Sequence, residues 1–232
     1  MSAIHAYEPS WDTSTSATSL TIDLSNGVSN GGVFIIVNQN SSQTGSALSL
    51  ADSSGWNELE TGGWQYCYFG IWYIEAGNTI PSSVTINSTH QGAIVAMTVH
   101  LTANSSIDAI GVQAGSSSDV SSLEVPGITA TADDSDLLLL YVGREVQEDS
   151  TISGNMEMAA VQVAWTGVIG SSATTFIGHE TVNSGPTGSR TVTPQRVKPM
   201  YGYLVALSSA PATPYLYIRD NDSWIPGSET TL

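Results

Sequence analysis

The residues able to do chemistry in this chain are few and widely spaced. The four histidines, His5, His90, His100 and His179, stand far apart, and none forms a close ligand pair with another histidine or with the single cysteine, Cys67. Zinc sites draw on such close-set pairs, so no Cys-based zinc site is expected, and one cysteine excludes an intrachain disulfide framework. Serine is abundant, but no Gly-x-Ser-x-Gly turn leads from a strand into a helix, so no nucleophile elbow is signalled. The acidic group Asp133, Asp134 and Asp136 and the pair Asp220 and Asp222 offer the hard oxygen ligands that calcium takes. Neither continues into a twelve-residue loop with its glycine and terminal glutamate, so both read as solvated turn carboxylates. Glycoside hydrolysis needs two carboxylates facing across a cleft, which linear spacing does not reveal. The expectation is a protein with no catalytic residue, no metal and no cofactor.

The aromatics are the other candidates. Trp56, Trp64, Trp72, Tyr66, Tyr68 and Tyr73 are of the types that stack on sugar rings, and Trp56 and Trp64 are the candidate glycan contacts. Strand alternation places several of the others in a core. Cys67, inside the same aromatic run, reads as a small buried apolar group. The sequons at Asn40, Asn87, Asn104 and Asn221 follow from a chain rich in Asn, Ser and Thr and call for no glycan.

These residues must be positioned by strands. With 232 residues and 41% hydrophobic content the chain can bury a full core, and the prior is one domain with a tail. The 21 acidic and 5 basic residues give a formal charge of −16, a field that repels phosphate backbones and disfavours nucleic acid as a partner. The start, Met1 to Glu8, has neither a basic n-region nor an apolar h-region, and no run approaches membrane-spanning length, so neither a standard signal nor a lipid anchor is expected.

The run Leu137 to Val142, introduced by Asp133-Asp134-Ser135-Asp136 and closed by Gly143, is too short for a buried helix and reads as a strand covered on both faces. Val33 to Val37, after Asn30-Gly31-Gly32, has the same form, and the two are expected to be the paired centre of an antiparallel β-sandwich. Leu20, Ile22 and Leu24 alternate with polar residues in a half-buried strand, and Asn38 to Thr61 reads as a long connection. Trp64 to Glu75 is apolar on both faces, to be covered by loops or by a neighbouring subunit. Phe69 to Leu101 matches Phe176 to Leu207 in the order strand, glycine turn, Val-Thr strand, long apolar strand, at a period of roughly one hundred residues, which reads as a weak internal duplication. The predicted organisation is an N-terminal arm over 1–17, an all-β, jelly-roll-like sandwich over 18–210, and an aromatic hairpin or tail over 211–232.

The order of features resembles a group of small virion structural proteins of tailed bacteriophages, jelly-roll-like proteins that decorate capsids or belong to tail fibres. The residues that carry the likeness are Gly31 to Val37, Ser54-Gly55-Trp56, Trp72 to Gly77, Ile107-Asp108-Ala109, Asp136 to Leu140 and the strand Tyr201 to Leu207. The terminal Tyr217 to Pro226 is similar to short aromatic hairpins that close such proteins, while the aromatic stretch Gly62 to Ile74 departs from the pattern. The resemblance implies a homotrimeric cement protein on the outer surface of the capsid, with the major capsid protein and copies of itself as partners, and no membrane. Tyr66, Tyr68, Trp72, Tyr215, Tyr217 and Trp224 are then the candidate partner or subunit contacts. The alternative it implies is a tail-fibre or adhesin module that binds host surface polysaccharide through Trp56 and Trp64.

Overall fold

The computed structural model describes residues 2–12, 17–41, 44, 47–64, 66–145, 149–164, 172–209, 217–220 and 223–226. Among them every regular element is a strand, so the protein is all-β. The N-terminal half contains β1 (Ile4–Asp12), β2 (Ser19–Asp23), β3 (Val33–Ser41), β4 (Leu48–Leu50), β5 (Asn57–Trp64), β6 (Cys67–Ile74), β7 (Ser83–Ser88) and β8 (Gly92–Leu101). These form an antiparallel sheet of order β1-β8-β3-β6-β5 and a smaller one of order β2-β7-β4. Strands one, eight, three and six in one sheet and two, seven and four in the other make a jelly roll, with β5 attached to its hairpin partner β6.

The C-terminal half repeats the plan. It contains β9 (Ser105–Ile110), β10 (Ala114–Val120), β11 (Leu123–Val125), β12 (Thr129–Ala130), β13 (Ser135–Arg144), β14 (Thr151–Ile152), β15 (Glu157–Ala164), β16 (Ala173–Val182), β17 (Gly185–Pro186), β18 (Arg190–Thr193) and β19 (Lys198–Ser209). The large sheet runs β10-β19-β13-β16-β15, the small one β11-β18-β14, and β9 shares the β19 edge with β10, so two short strands stand where the first half has β1. The ladders agree in register. Phe34 lies opposite Tyr73 and Val99, and Leu138 lies opposite His179 and Val205. Both halves also carry a bulge at the same place, Leu59 between Glu58 and Glu60 in β5 and Ala159 between Met158 and Ala160 in β15. Bulges are specific features of a strand pair, so a shared one supports duplication more strongly than strand order does.

Four layers result. Inward residues Phe34, Ile36, Phe69, Ile71, Met97 and Val99 of the first large sheet meet Leu138, Leu140, Val142, Ile177 and Val205 of the second in a central core. On the reverse faces Val33, Ile35, Trp72 and Ile74 pack on Leu20, Ile22 and Ile86 of the first small sheet, and Leu137, Leu139, Tyr141 and Phe176 pack on Leu123, Val125 and Val192 of the second. A strand in an inner layer is apolar on both faces for this reason. Polar groups also join the halves: Asn38 Nδ2 donates to the Gly143 and Thr174 carbonyls at 2.8 Å, and Asn40 Nδ2 to the Ser172 carbonyl at 2.9 Å.

Three expectations are corrected. Val33–Val37 and Leu137–Val142 are not hydrogen-bonded neighbours; each is the centre of its own sheet, and the two sheets face each other. The N-terminal segment is not a free arm, because β1 pairs antiparallel with β8 and places Tyr7 opposite Val99. The stretch Asn38 to Thr61 is not one connection, because β3 runs on to Ser41 and β4 and β5 lie within it. The terminal hairpin forms as β20 (Tyr217–Asp220) against β21 (Ser223–Pro226), a two-stranded sheet of its own among the described residues.

Candidate functional site

Among the described residues two histidines have carboxylate partners. His100, on β8, has Nε2 at 3.1 Å from Glu8 Oε2 of β1 and 3.4 Å from Thr98 Oγ1. Thr, His and Glu are the residue types of a nucleophilic triad, but the hydroxyl and the carboxylate meet the same ring nitrogen. A triad histidine relays a proton between its two nitrogens, so this arrangement cannot do so. His100 Nδ1 is buried without a partner, and burial, opposed by Glu8, lowers the ring's pKa. His179, on β16, has Nε2 at 2.8 Å from Asp136 Oδ1 of β13, while Ser2 Oγ and the Ala3 N–H donate to Asp136 Oδ2. Burial alone would raise the pKa of Asp136; the donors reverse that and lower it. Here Ser2 and His179 both serve one carboxylate, which ties β1 across to the second large sheet.

Cys67 is fully buried, its thiol directed at Asn38 Oδ1 and its pKa pushed far up by burial, which makes it inert. Among the described residues no three His, Cys, Asp or Glu side chains converge to hold a metal ion. Asp133 accepts from the N–H and hydroxyl of Ser184, a loop contact.

The candidate contact residues separate on burial. Tyr68 and Trp72 lie in the core between β6 and the small sheet, at 4% and 3% exposure, and are unavailable to a partner. The chain's own outer layer covers the face that pointed to a neighbour. Tyr66 is 37% exposed, with the Arg144 guanidinium 5.5 Å from its ring centre. Tyr217 and Trp224 lie on the paired strands of the terminal hairpin, and Trp64 ends β5 opposite Cys67. Tyr215 lies outside the described residues.

Trp56 stands where the chain turns into β5, half-buried beside the apolar layer under β2 and β7. It lines a cavity of about 390 Å³ with Asp52, Ser54, Ser83, Thr85 and Pro81. Thr79 and Pro81 also line a second depression of about 500 Å³ between the β2–β3 and β6–β7 loops, with Ser25, Ser29, Asn30, Asn78 and Ser82. The walls mix hydroxyls and amides with aliphatic groups, Ala51, Pro81 and Val84 in the first and Leu24, Val28 and Ile80 in the second, and hold one tryptophan and one carboxylate. Asp52 Oδ1 accepts the Ser54 N–H at 2.9 Å, which fixes the turn before the tryptophan.

Comparison of the chain with protein-family models, with curated protein sequences and with solved structures returns no match.

Proposed function

We propose that the protein is a structural subunit of a virion, a decoration protein that binds the outer surface of the major capsid protein and stabilises the phage head. The observation that carries this reading is the closure of the body. Both faces of the long strands are covered by the chain's own layers, so the apolar runs are spent on rigidity. The aromatic hairpin β20–β21, a separate two-stranded sheet among the described residues, supplies the attachment element. A capsid cement needs such a division, a stiff block and a short adhesive segment. Copies of the chain gather as a closed trimer, with Tyr66 facing the neighbour or the shell. The net charge of −16 keeps unassembled subunits apart and weights the contact toward apolar and hydrogen-bonding groups.

Gold-labelled antibody on intact particles tests the location. Label spread over the head supports decoration; label confined to the tail tip, or no label on any particle, overturns it. Removal of residues 211–232 tests the attachment element: the truncated chain keeps its melting temperature and no longer binds particles stripped of the protein.

A further inference from the structure

The two halves are built alike, yet their loop ends differ in a way that packing alone does not require. At the C-terminal end the loops are stitched. β12 pairs with β17, the Thr187 N–H donates to the Ile128 carbonyl at 2.8 Å, Asp133 holds Ser184, and Gly127 lies so close to Gly188 that a Cβ would meet its carbonyl at 2.5 Å. At the N-terminal end the equivalent β2–β3 and β6–β7 loops, with the turn before β5, line the two depressions.

The residue before β5 is Trp56 and the residue before β15 is Met156; each precedes a strand whose first residue pairs at the same ladder step, Asn57 with Tyr73 and Glu157 with His179. Met156 is buried, with Sδ 2.8 Å from where a Cβ on Gly178 would stand. The position equivalent to Gly178 is Trp72, whose indole fills that space in the first half and lies over Gly70. Trp56 is therefore displaced outward, into the polar groove. A half-exposed tryptophan at a cavity that carries Asp52, Ser54, Ser83 and Thr85 offers a flat apolar face for the C–H side of a pyranose and hydrogen-bonding groups for its rim.

We propose that this groove binds a neutral saccharide, with Trp56 stacking on one sugar ring and Asp52, Ser54, Ser83 and Thr85 taking its hydroxyls. Neutrality follows from charge. All five basic residues lie at or after Arg144, so the half that bears the groove has no cation to meet a uronate or sialate, and Asp52 repels one. The second depression, which has Thr79 and Pro81 in common with the first, offers room beside it for a further ring. The inference is independent of where on a particle the subunit sits.

The test is an array of neutral glycans of glucose, galactose, mannose and N-acetylhexosamines beside sialylated and uronate-containing counterparts, probed with the full chain. Binding confined to neutral glycans is expected. Trp56→Ala weakens the best of them about tenfold or more, and Trp56→Phe loses less. Ser54→Arg, an exposed change that obstructs the groove without touching the core, has the same effect and guards against misfolding of the tryptophan variant. No binding to any neutral glycan, preference for acidic ones, or full binding by both Trp56→Ala and Ser54→Arg would each overturn the proposal. Removal of residues 211–232 leaves glycan binding intact, which separates this site from attachment to particles.

Discussion

The loop end of the first jelly roll and that of the second share strand order, register and a bulge, and differ in what fills them. The second spends its loop residues on one another: an ion pair between Glu180 and Arg190, three loop carbonyls of Thr187, Gly188 and Ser189 accepting from Arg190 Nη1, and the β12–β17 pairing. The first has Ile74 and Val84 where the second has Glu180 and Arg190, as the ladders align them, and both join the apolar layer. A duplicated fold has two copies of every loop end, so one can hold the structure while the other keeps open space. The difference teaches that the groove is a property of three side-chain choices on a common frame, Trp72, Trp56 and an apolar pair, and each can be exchanged.

The largest effect is expected at Trp72. Trp72→Ala removes a buried indole and costs about 3–5 kcal/mol in denaturant unfolding, the range for large-to-small core changes. Copying the other half, Trp72→Gly with Trp56→Met, recovers part of that loss, because the methionine drops into the vacated space as Met156 does. Thermal or denaturant melts of Trp72→Gly and of the double variant decide it. If the double variant is no more stable than Trp72→Gly alone, the two positions do not share one space.

The ion pair comes next. Glu180→Ile alone strands a buried guanidinium and costs about 3–5 kcal/mol, whereas Glu180→Ile with Arg190→Val, the arrangement of the first half, regains most of it. A double-mutant cycle in urea measures the coupling. The regained stability comes with a looser end, since Arg190 no longer gathers the loop carbonyls, and amide exchange in residues 183–189 quickens. A double variant as unstable as the single one would mean that the loop contacts, not the charge balance, give the pair its worth.

Much of this frame was legible in the sequence, and the reasons for the gaps are physical. Leu137 to Val142 and Val33 to Val37 announced themselves because an inner-layer strand is apolar on both faces, and the repeat of strand, glycine turn and Val-Thr strand showed the duplication. What alternation cannot show is which surface covers the second face. The Trp64 to Glu75 stretch pointed to loops or to a neighbouring subunit as its cover, and Trp72 instead lies under the chain's own β2-β7-β4 layer. β1 escaped notice because it is an edge strand with Glu8 and Pro9 in it, held by pairing to β8 and by Asp136, more than a hundred residues away. Trp56 was recognisable as a sugar-stacking type, but its outward position depends on the volume of Trp72 and on the glycine at the matching place in the other half, information carried by the fold.

Acid separates the halves more gently. His100 is buried and neutral, with Glu8, His5 and Asp23 as the charged groups acting on it, and its folded pKa lies below the usual value of about 6.5. Below that pH the unfolded chain takes up a proton that the folded ring resists, so stability falls as pH drops through about 6.5. Asp136 has its pKa lowered by its donors, so its contribution is complete above about 3.9 and is lost as pH falls through the lower folded value. Melting temperature against pH therefore declines in two steps, and His100→Gln removes the upper one. An unchanged slope between pH 7 and 5 in that variant would assign the upper step to another group.

The smallest expected effect lies in the stitches themselves. Asp133 is at the surface and accepts from the Ser184 N–H at 2.9 Å and from its hydroxyl at 2.6 Å, joining the β12–β13 turn to the β16–β17 turn. Donors on an exposed loop exchange this partner for water at little net loss, so Asp133→Ala leaves the global melt where it was. Local opening is governed by fewer contacts than global unfolding, and there the bond counts. Amide exchange at Ser184 and Gly185 rises in the variant while the β13 and β19 amides stay protected. An Asp133→Ala protein whose loop amides remain as slow as before would place the closure of this end wholly in β12–β17 and Arg190. The open end would then differ from the sealed one by those two features, and introducing an arginine at Val84 with a glutamate at Ile74 would supply one of them, drawing the first half's loops part of the way together beside Trp56.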